Sequence, residues 1–302
     1  MKNINNSSAD FKSGFVAIVG APNAGKSTLL NQMLGEKVSI TSPKPQTTRN
    51  RITGVVHRPF SQIVFIDTPG MHRAKGKLNV RIVDVALSSL GDVDIVLVLV
   101  DVSNQDPISE DFIVKQLKKK QRRVILVLNK IDLVDKSMLL AVIDKWSKAH
   151  PFEAIVPVSA KHGDQVEALL DSMESLLPQG PPFFPEDTLT DMPQRFIASE
   201  MIREKVFRLT DQEIPYSTAV TIDSFSTKKN GALVTINATI HVERATQKGI
   251  IIGKGGSKLK RIGEQARKDI EKMVGSKVFL KLFVRVQKDW SNDTIALRNF
   301  GY

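Results

Sequence analysis

A chain of 302 residues, 41% of them hydrophobic, carries enough apolar side chain for one large core or two ordinary ones, which excludes wholesale disorder. It has no cysteine, which excludes disulfide staples, thiol catalysis and cysteine-ligated metal, and no apolar run approaches the roughly 20 residues of a membrane-spanning helix. The 43 Lys and Arg against 32 Asp and Glu leave a formal charge of +11, the balance of a protein that meets a polyanion, either nucleic acid or an anionic membrane surface.

The polar opening, residues 1–13, has no apolar signal core and reads as a frayed tail. Residues 14–177 then alternate β-rich runs with helical patterns. The runs are Phe15–Gly20, Ile63–Asp67, Ile95–Asp101, Val124–Asn129 and Ile155–Ser159. They are nearly continuous in Val, Ile and Leu, as strands buried on both faces are. Helical patterns cover Lys26–Leu34, Lys77–Leu90, Ser109–Lys120, Met138–His150 and Gln165–Leu177. This order predicts an α/β, doubly wound, mostly parallel sheet with ligands at the carboxyl ends of its strands.

Four prolines between Pro178 and Pro185 can neither continue a helix nor pair in a central strand. Residues 178–190 therefore read as a stiff interdomain linker. Residues 191–302 form a smaller α+β domain with a different rhythm. Helix Gln194–Thr210 precedes strands Ser217–Phe225 and Leu233–Val242, which flank a hairpin turn at 228–231. A glycine turn at Gly253–Gly256 lies between two helices, the second being the basic Ser257–Met273, and strand Lys277–Val286 follows. The order is αββααβ.

Strand Phe15–Val19 runs into Gly20-Ala21-Pro22-Asn23-Ala24-Gly25-Lys26-Ser27, with Thr28 next: GxxxxGK[ST] in the strand-to-helix context it requires. Its glycines let backbone N–H groups turn around phosphates, and the helix adds its positive N-terminus. Lys26 is expected to reach the β- and γ-phosphates and Ser27 to ligate Mg²⁺. Asp67-Thr68-Pro69-Gly70 ends another hydrophobic strand; Asp67 is placed to hold Mg²⁺, and the Gly70 N–H to sense a γ-phosphate. Asn129-Lys130-Ile131-Asp132 selects the base, because a carboxylate at Asp132 accepts from guanine N1–H and its amine, whereas adenine presents an acceptor there. Ser159-Ala160-Lys161 is placed to contact guanine through backbone N–H groups. Each piece alone is a loop; four in this order point to GTP and GDP. A P-loop kinase for a small metabolite is the rival that the guanine motif disfavours.

Over residues 14–177 the chain resembles a translation-factor-class GTPase. The resemblance implies a threonine that closes over the γ-phosphate and Mg²⁺, here Thr47 or Thr48, with Thr48 preferred because it precedes Arg49. It thus implies Ser27, Thr48 and Asp67 around Mg²⁺, and Lys26, Thr48, Asn23 and Gly70 at the reaction. Ras-like relatives place glutamine after DxxG; here Met71 stands there, so slow intrinsic hydrolysis is expected. His72 is a weak candidate base. Asn23 occupies the position where related GTPases coordinate K⁺, and Arg49 and Arg51 are weaker candidates for stabilising charge.

In the second domain, Ile250-Ile251-Ile252 followed by Gly253-Lys254-Gly255-Gly256 resembles the GxxG loop of the K homology (KH) module, which clamps an RNA backbone. Twelve Lys and Arg stand against three acids from Arg244 to Arg285. RNA contacts are expected from Ile251, Ile252, Gly253, Lys254, Gly255, Gly256, Lys258 and Arg261, with bases packing on Ile251 and Ile252. The five histidines have no metal-ligand spacing, and Trp290 either packs the C-terminal tail or touches RNA. The whole combination resembles the Era family of bacterial ribosome-assembly GTPases. That resemblance implies binding to the 3′ end of small-subunit ribosomal RNA, assistance to 30S subunit assembly, and GTP-favoured RNA binding. It also implies a cytoplasmic protein in peripheral contact with the inner membrane. A monomer is expected. The alternative is a nucleotide-gated RNA chaperone with negligible hydrolysis.

Overall fold

Four of the five aliphatic runs form the middle of a six-stranded sheet because both faces of each are covered, and the fifth, Ile155–Ser159, lies at its edge. Val16, Ala17, Ile18 and Val19 are fully buried, as are Ile95, Leu97 and Val98. The computed structural model describes residues 10–42, 48–70, 91, 93–118, 122–210, 214–228 and 231–301. Thr47, Met71, His72, the expected helix Lys77–Leu90 and the hairpin turn residues 229–230 lie outside the described residues.

The first of two units holds the described residues of 10–38, 50–70 and 91–191. Its strands are β1 (Lys12–Gly20), β2 (Ile52–Arg58), β3 (Ser61–Asp67), β4 (Ile95–Asp101), β5 (Arg123–Asn129) and β6 (Ala154–Val158), in the spatial order β2-β3-β1-β4-β5-β6. All described pairs are parallel except β2–β3. Strand β2 was not expected: Thr53-Gly54 interrupts its apolar run, and an isolated glycine weakens a strand pattern. That glycine packs closely, since a Cβ there would lie 2.8 Å from Leu30 Cδ1. Helices α1 (Lys26–Leu34), α2 (Pro107–Leu117), α3 (Lys136–Ser147) and α4 (Val166–Leu176) complete the unit. β1 begins at Lys12, so part of the expected tail is strand.

The proline-rich segment is not a free spacer. Ser13 N–H donates to the Pro178 carbonyl (3.1 Å), and Gly180 N–H to Phe11 (3.0 Å). Gln62 Oε1 accepts from the amides of Phe183 (2.7 Å) and Phe184 (3.0 Å). Val55 N–H, on the edge strand β2, donates to the Leu189 carbonyl at 2.9 Å. The segment bends at Phe183 and Phe184 and closes a turn in which Thr188 N–H donates to the Pro185 carbonyl (3.0 Å), and its polar groups are spent on β1, β2 and β3. The division between the units falls after Asp191.

The second unit comprises residues 192–302 together with Ser39–Arg49 among the described residues. Helix α5 (Gln194–Leu209) packs with α6 (Ala245–Ile252) and α7 (Ser257–Val274) on one face of a three-stranded sheet, with a short C-terminal α8 (Thr294–Asn299). The sheet runs β7 (Ala219–Thr227), β8 (Leu233–Val242), β9 (Lys277–Val286), with β7–β8 antiparallel and β8–β9 parallel. Ile202, Val206, Ile236, Ile240, Ile262 and Ile270 fill the core.

Candidate functional site

The phosphate-binding loop spans the β1–α1 turn. Gly25 sits at φ 100° and Asn23 at φ 63°, the left-handed region. Space is as restrictive as conformation: a Cβ on Gly25 would lie 2.2 Å from Asn129 Nδ2, and one on Gly20 would lie 2.5 Å from the Leu99 carbonyl oxygen. Lys26 folds back to donate to the carbonyls of Gly20 (3.1 Å) and Ala21 (2.9 Å). Burial pushes its amine down to about 8, with the Asp67 carboxylate pulling the other way. Ser27 Oγ donates to Asp67 Oδ2 at 2.8 Å. A hydroxyl and a buried carboxylate converging at the loop are hard oxygen donors of the kind Mg²⁺ takes when a nucleotide supplies further oxygens. No cluster of His, Asp or Glu among the described residues would hold a metal by itself.

Strand ends bring the remaining pieces together. Thr68 Oγ1 donates to the Ile18 carbonyl at 2.7 Å, so this side chain fastens the turn to β1 and is not available to a nucleotide. Gly70 abuts the loop, where a Cβ would lie 2.9 Å from Pro22 Cα. Asn129 is the junction: its Nδ2 donates to the Ala24 carbonyl (2.8 Å), and its Oδ1 accepts from the Ala160 amide (3.0 Å). One side chain thus ties the phosphate loop to the Ser159–Lys161 segment. Ser159 Oγ donates to Asp132 Oδ1 at 2.7 Å, and this bond holds the Asp132 carboxyl below its usual range, helped by His162 and Lys161 nearby. Lys130, at φ 68°, pairs with Asp101 Oδ2 at 2.5 Å. Asp101 escaped the sequence reading, although it ends β4 directly opposite Asn129 in the parallel register.

Thr48 and Arg49 belong to the second unit, with the segment Ser39–Arg49, and both are buried. The Arg49 guanidinium lies 6.0 Å from the Phe207 ring centroid and 5.9 Å from that of Trp290, and donates to the Thr218 carbonyl at 2.9 Å. In this arrangement Arg49 is a packing cation rather than a charge offered to phosphate. Arg51 is exposed. Trp290 is fully buried and donates from Nε1 to the Ser217 carbonyl (3.0 Å), so it packs the tail and does not face RNA.

The Gly253–Gly256 loop joins α6 to α7. Gly253, Gly255 and Gly256 all have positive φ (72°, 57° and 79°). Lys254 is exposed, as are Lys260 and Arg261 on the first turns of α7, while Lys258 is half-buried. Beside the loop, Gly256, Leu259, Lys260, Gly263 and Arg267 face Leu280 and Leu282 of β9 across an open groove of about 490 Å³. Ile251 corrects the sequence reading: it is fully buried in the core and is not a base-packing residue. Ile252 is half-buried, and Ile250, at 45% exposure, is the isoleucine that faces out.

Comparison with known proteins agrees with this geometry. A 50S ribosome-binding GTPase family model matches residues 15–130, and a KH domain model matches residues 213–291. GTPase Era of Geotalea uraniireducens is 56% identical over 292 residues, 97% of this chain and 98% of that protein. Two solved Era structures superpose with a TM-score of 0.93 at 42% identity, each covering 97% of this chain and 99% of the other. One is an Aquifex aeolicus Era variant bound to GDP and AlF4⁻; the other is in complex with MgGDPNP and nucleotides 1506–1542 of 16S ribosomal RNA. With a phosphate loop wired to a guanine-type carboxylate in one unit, a GxxG groove in the other, and near-complete coverage by these relatives, the chain belongs to the Era family of GTPases.

Proposed function

We propose that the chain binds and hydrolyses GTP and that its GTP state holds the 3′ end of small-subunit ribosomal RNA on the second unit during 30S assembly. The observation that carries the nucleotide half is the Asn129 amide, which ties the phosphate loop to the base-reading segment while Ser159 keeps Asp132 ionised. An ionised Asp132 accepts from guanine and rejects adenine. Lys26 exchanges its two carbonyl partners for the β- and γ-phosphates. Ser27 and Asp67 would hold Mg²⁺, which would neutralise negative charge on the phosphates. The Gly70 amide and Thr48 read the γ-phosphate. Asn23 is the candidate ligand for K⁺, whose charge would assist a reaction that has no glutamine after DxxG.

Thr48 and Arg49 are consecutive, and Arg49 is anchored in the second unit. Loss of the γ-phosphate would rearrange the switch segment, and the linker 178–190 would pass that change to the second unit. The RNA backbone is read by Gly253, Lys254, Gly255 and Gly256 with Lys258 and Arg261, and bases lie in the adjoining groove against Ile252. The chain's charge of +11 also supports peripheral contact of a cytoplasmic monomer with an anionic membrane. No described helix is long and apolar enough to cross one.

The test is GTP turnover in KCl and in NaCl at matched ionic strength, with and without the rRNA 3′-terminal oligonucleotide. Faster turnover with K⁺ and with RNA, the RNA effect disappearing in Gly253→Asp/Gly256→Asp, is expected. Equal rates in both salts remove the K⁺ site. GTP bound but not turned over in a single-turnover experiment leaves a nucleotide-gated RNA chaperone instead.

A further inference from the structure

The three-stranded sheet of the second unit buries one face against its helices; the other is covered at one end, where Ala219 and His241 are buried and His241 packs on Phe300, and lies open along the rest of β9. On β9 the alternation is strict: Val278, Leu280, Leu282 and Val284 point toward the helices, while Lys277, Phe279, Lys281, Phe283 and Arg285 point outward and are exposed. Phe279 is 57% exposed and Phe283 46%. The parallel register places Thr235 beside Phe279, Asn237 beside Lys281 and Thr239 beside Phe283. The antiparallel register extends the polar rows to Ser226 and Ser224, with Asn237 Nδ2 donating to Ser224 Oγ at 2.7 Å. Among the described residues one carboxylate shares the face: Asp223, which accepts from Thr239 Oγ1 at 2.7 Å. Lys281 Nζ stands 5.1 Å from the Phe283 ring centroid.

We infer that this outer face, with Phe279 and Phe283 bracketing Lys281, is a second RNA-binding surface that takes single-stranded RNA leaving the GxxG groove. Two rings four residues apart on a strand lie about 13 Å from one another, far enough for each to stack one base with a phosphate at the cation between them. Aromatic side chains on an open sheet are a general platform for unstacked bases. The hydroxyls and amide of β8 make the face polar between and beside the rings, which suits base edges and ribose better than an apolar protein partner or a lipid tail. Charge complementarity points the same way, with three cations in one row against a single carboxylate among the described residues. Continuity supports the same occupant: β9 is the edge strand, Leu280 and Leu282 line the groove on its inner side, and Lys281 borders the groove while belonging to the outer row. A strand clamped at the loop reaches the outer face by passing over that edge.

This inference extends the RNA-binding reading, so the test must separate the two. The full chain, loaded with a non-hydrolysable GTP analogue, is titrated with a four-nucleotide RNA that fills only the groove and with a twelve-nucleotide RNA that contains it. Phe279→Leu/Phe283→Leu is expected to bind the short RNA within twofold of the parent and the long RNA roughly tenfold or more weakly. Phe279→Trp/Phe283→Trp is expected to restore the long-RNA affinity, because stacking rather than apolar area is at stake. Lys281→Gln should lower the salt slope for the long RNA by roughly 0.7. Equal long-RNA affinity in parent and Leu variant overturns the inference. Loss of flotation with anionic phospholipid vesicles, while long-RNA binding is unchanged, overturns it in favour of a membrane face. A parent that binds neither RNA overturns the groove reading and this inference together.

Discussion

The chain carries two glycine loops that each precede a helix, and they are built on opposite principles. At Gly20 and Gly25 the protein itself crowds the backbone, with Leu99 and Asn129 inside the space a side chain would need. At Gly255 and Gly256 nothing lies within 4 Å of where a Cβ would be, and glycine is required there only by φ values of 57° and 79°. The first loop is pre-shaped by its neighbours for a compact ligand of fixed size. The second keeps Gly255 and Gly256 open, as a clamp on a polymer must, and is crowded only at Gly253, where a Cβ would lie 2.8 Å from Lys258 Cβ. A nucleotide site needs the precise placement that a packed surround provides; a backbone clamp needs access and charge.

The contrast breaks most sharply under the same substitution in each loop. Gly25→Ala forces a methyl into the Asn129 amide at a φ of 100° that alanine rarely adopts. The expected result is a fall in kcat/KM for GTP of roughly 100-fold or more. Gly255→Ala meets no atom and pays only for the left-handed backbone, about 1 kcal/mol. Thermal unfolding should report that cost, and RNA affinity should change by less than tenfold. Comparable losses in the two variants would mean the second loop is as pre-shaped as the first.

Asn129→Ala sharpens the comparison next. The substitution strands the Ala24 carbonyl and the Ala160 amide, both buried and both satisfied by this one side chain. About 2 kcal/mol of stability should be lost from the first unit, read as a fall of roughly 5 °C in its melting temperature, with guanine nucleotide affinity falling in step. The GxxG loop has no comparable buried bridge among its described hydrogen bonds, so short-RNA affinity should be untouched. A variant with unchanged melting would mean that water takes over both partners.

The nucleotide half was legible because its chemistry is contiguous. Each motif is a short run at the end of an aliphatic strand, and the continuous Val, Ile and Leu runs locate those strands. Strand β2 was not legible, because Thr53-Gly54 breaks its run and its burial comes from Leu30 and Leu34 on a distant helix. Asp101 became visible only through the β4–β5 register. Proline content marked a segment that neither helix nor central strand could take after Leu177, but its bends and where its carbonyls and amides bond depend on Gln62 and the β2 edge. In the second half, Ile250, Ile251 and Ile252 are chemically equal, and only the helix rotation of about 100° per residue decides that Ile251 faces the core. Arg49 looked like a charge for phosphate because its sequence neighbours are a switch; its Phe207 and Trp290 partners are more than 150 residues away. The Lys-Phe-Lys-Phe-Arg alternation of β9 is plain in the sequence, but its exposed face gains meaning only once the other face is seen to hold the core.

The smallest predicted effect concerns protons, and it separates the loops by the state of their lysines. Lys26 is buried with its amine near 8, below the ordinary 10.5, whereas Lys254 is exposed. Below about pH 8 the Lys26 amine is already charged, and phosphate binding takes up no proton on its account. Above that pH the free protein holds it neutral, and phosphates must recharge it. Nucleotide affinity should therefore decline toward tenfold per pH unit between pH 8 and 9. The stability of the unliganded unit moves the other way. A base whose folded pKa is lowered is penalised while charged, so the penalty is full below about pH 8 and is relieved as pH rises toward 10.5. Calorimetry of GDP binding in two buffers of different ionisation enthalpy should show close to one more proton taken up at pH 9 than at pH 7. Lys26→Arg, whose charge does not titrate there, should abolish that difference and cancel the nucleotide's own titration from the comparison. Equal proton uptake in parent and Lys26→Arg would mean that the amine is charged before the nucleotide arrives, and that burial of the loop does less than its hydrogen bonds suggest.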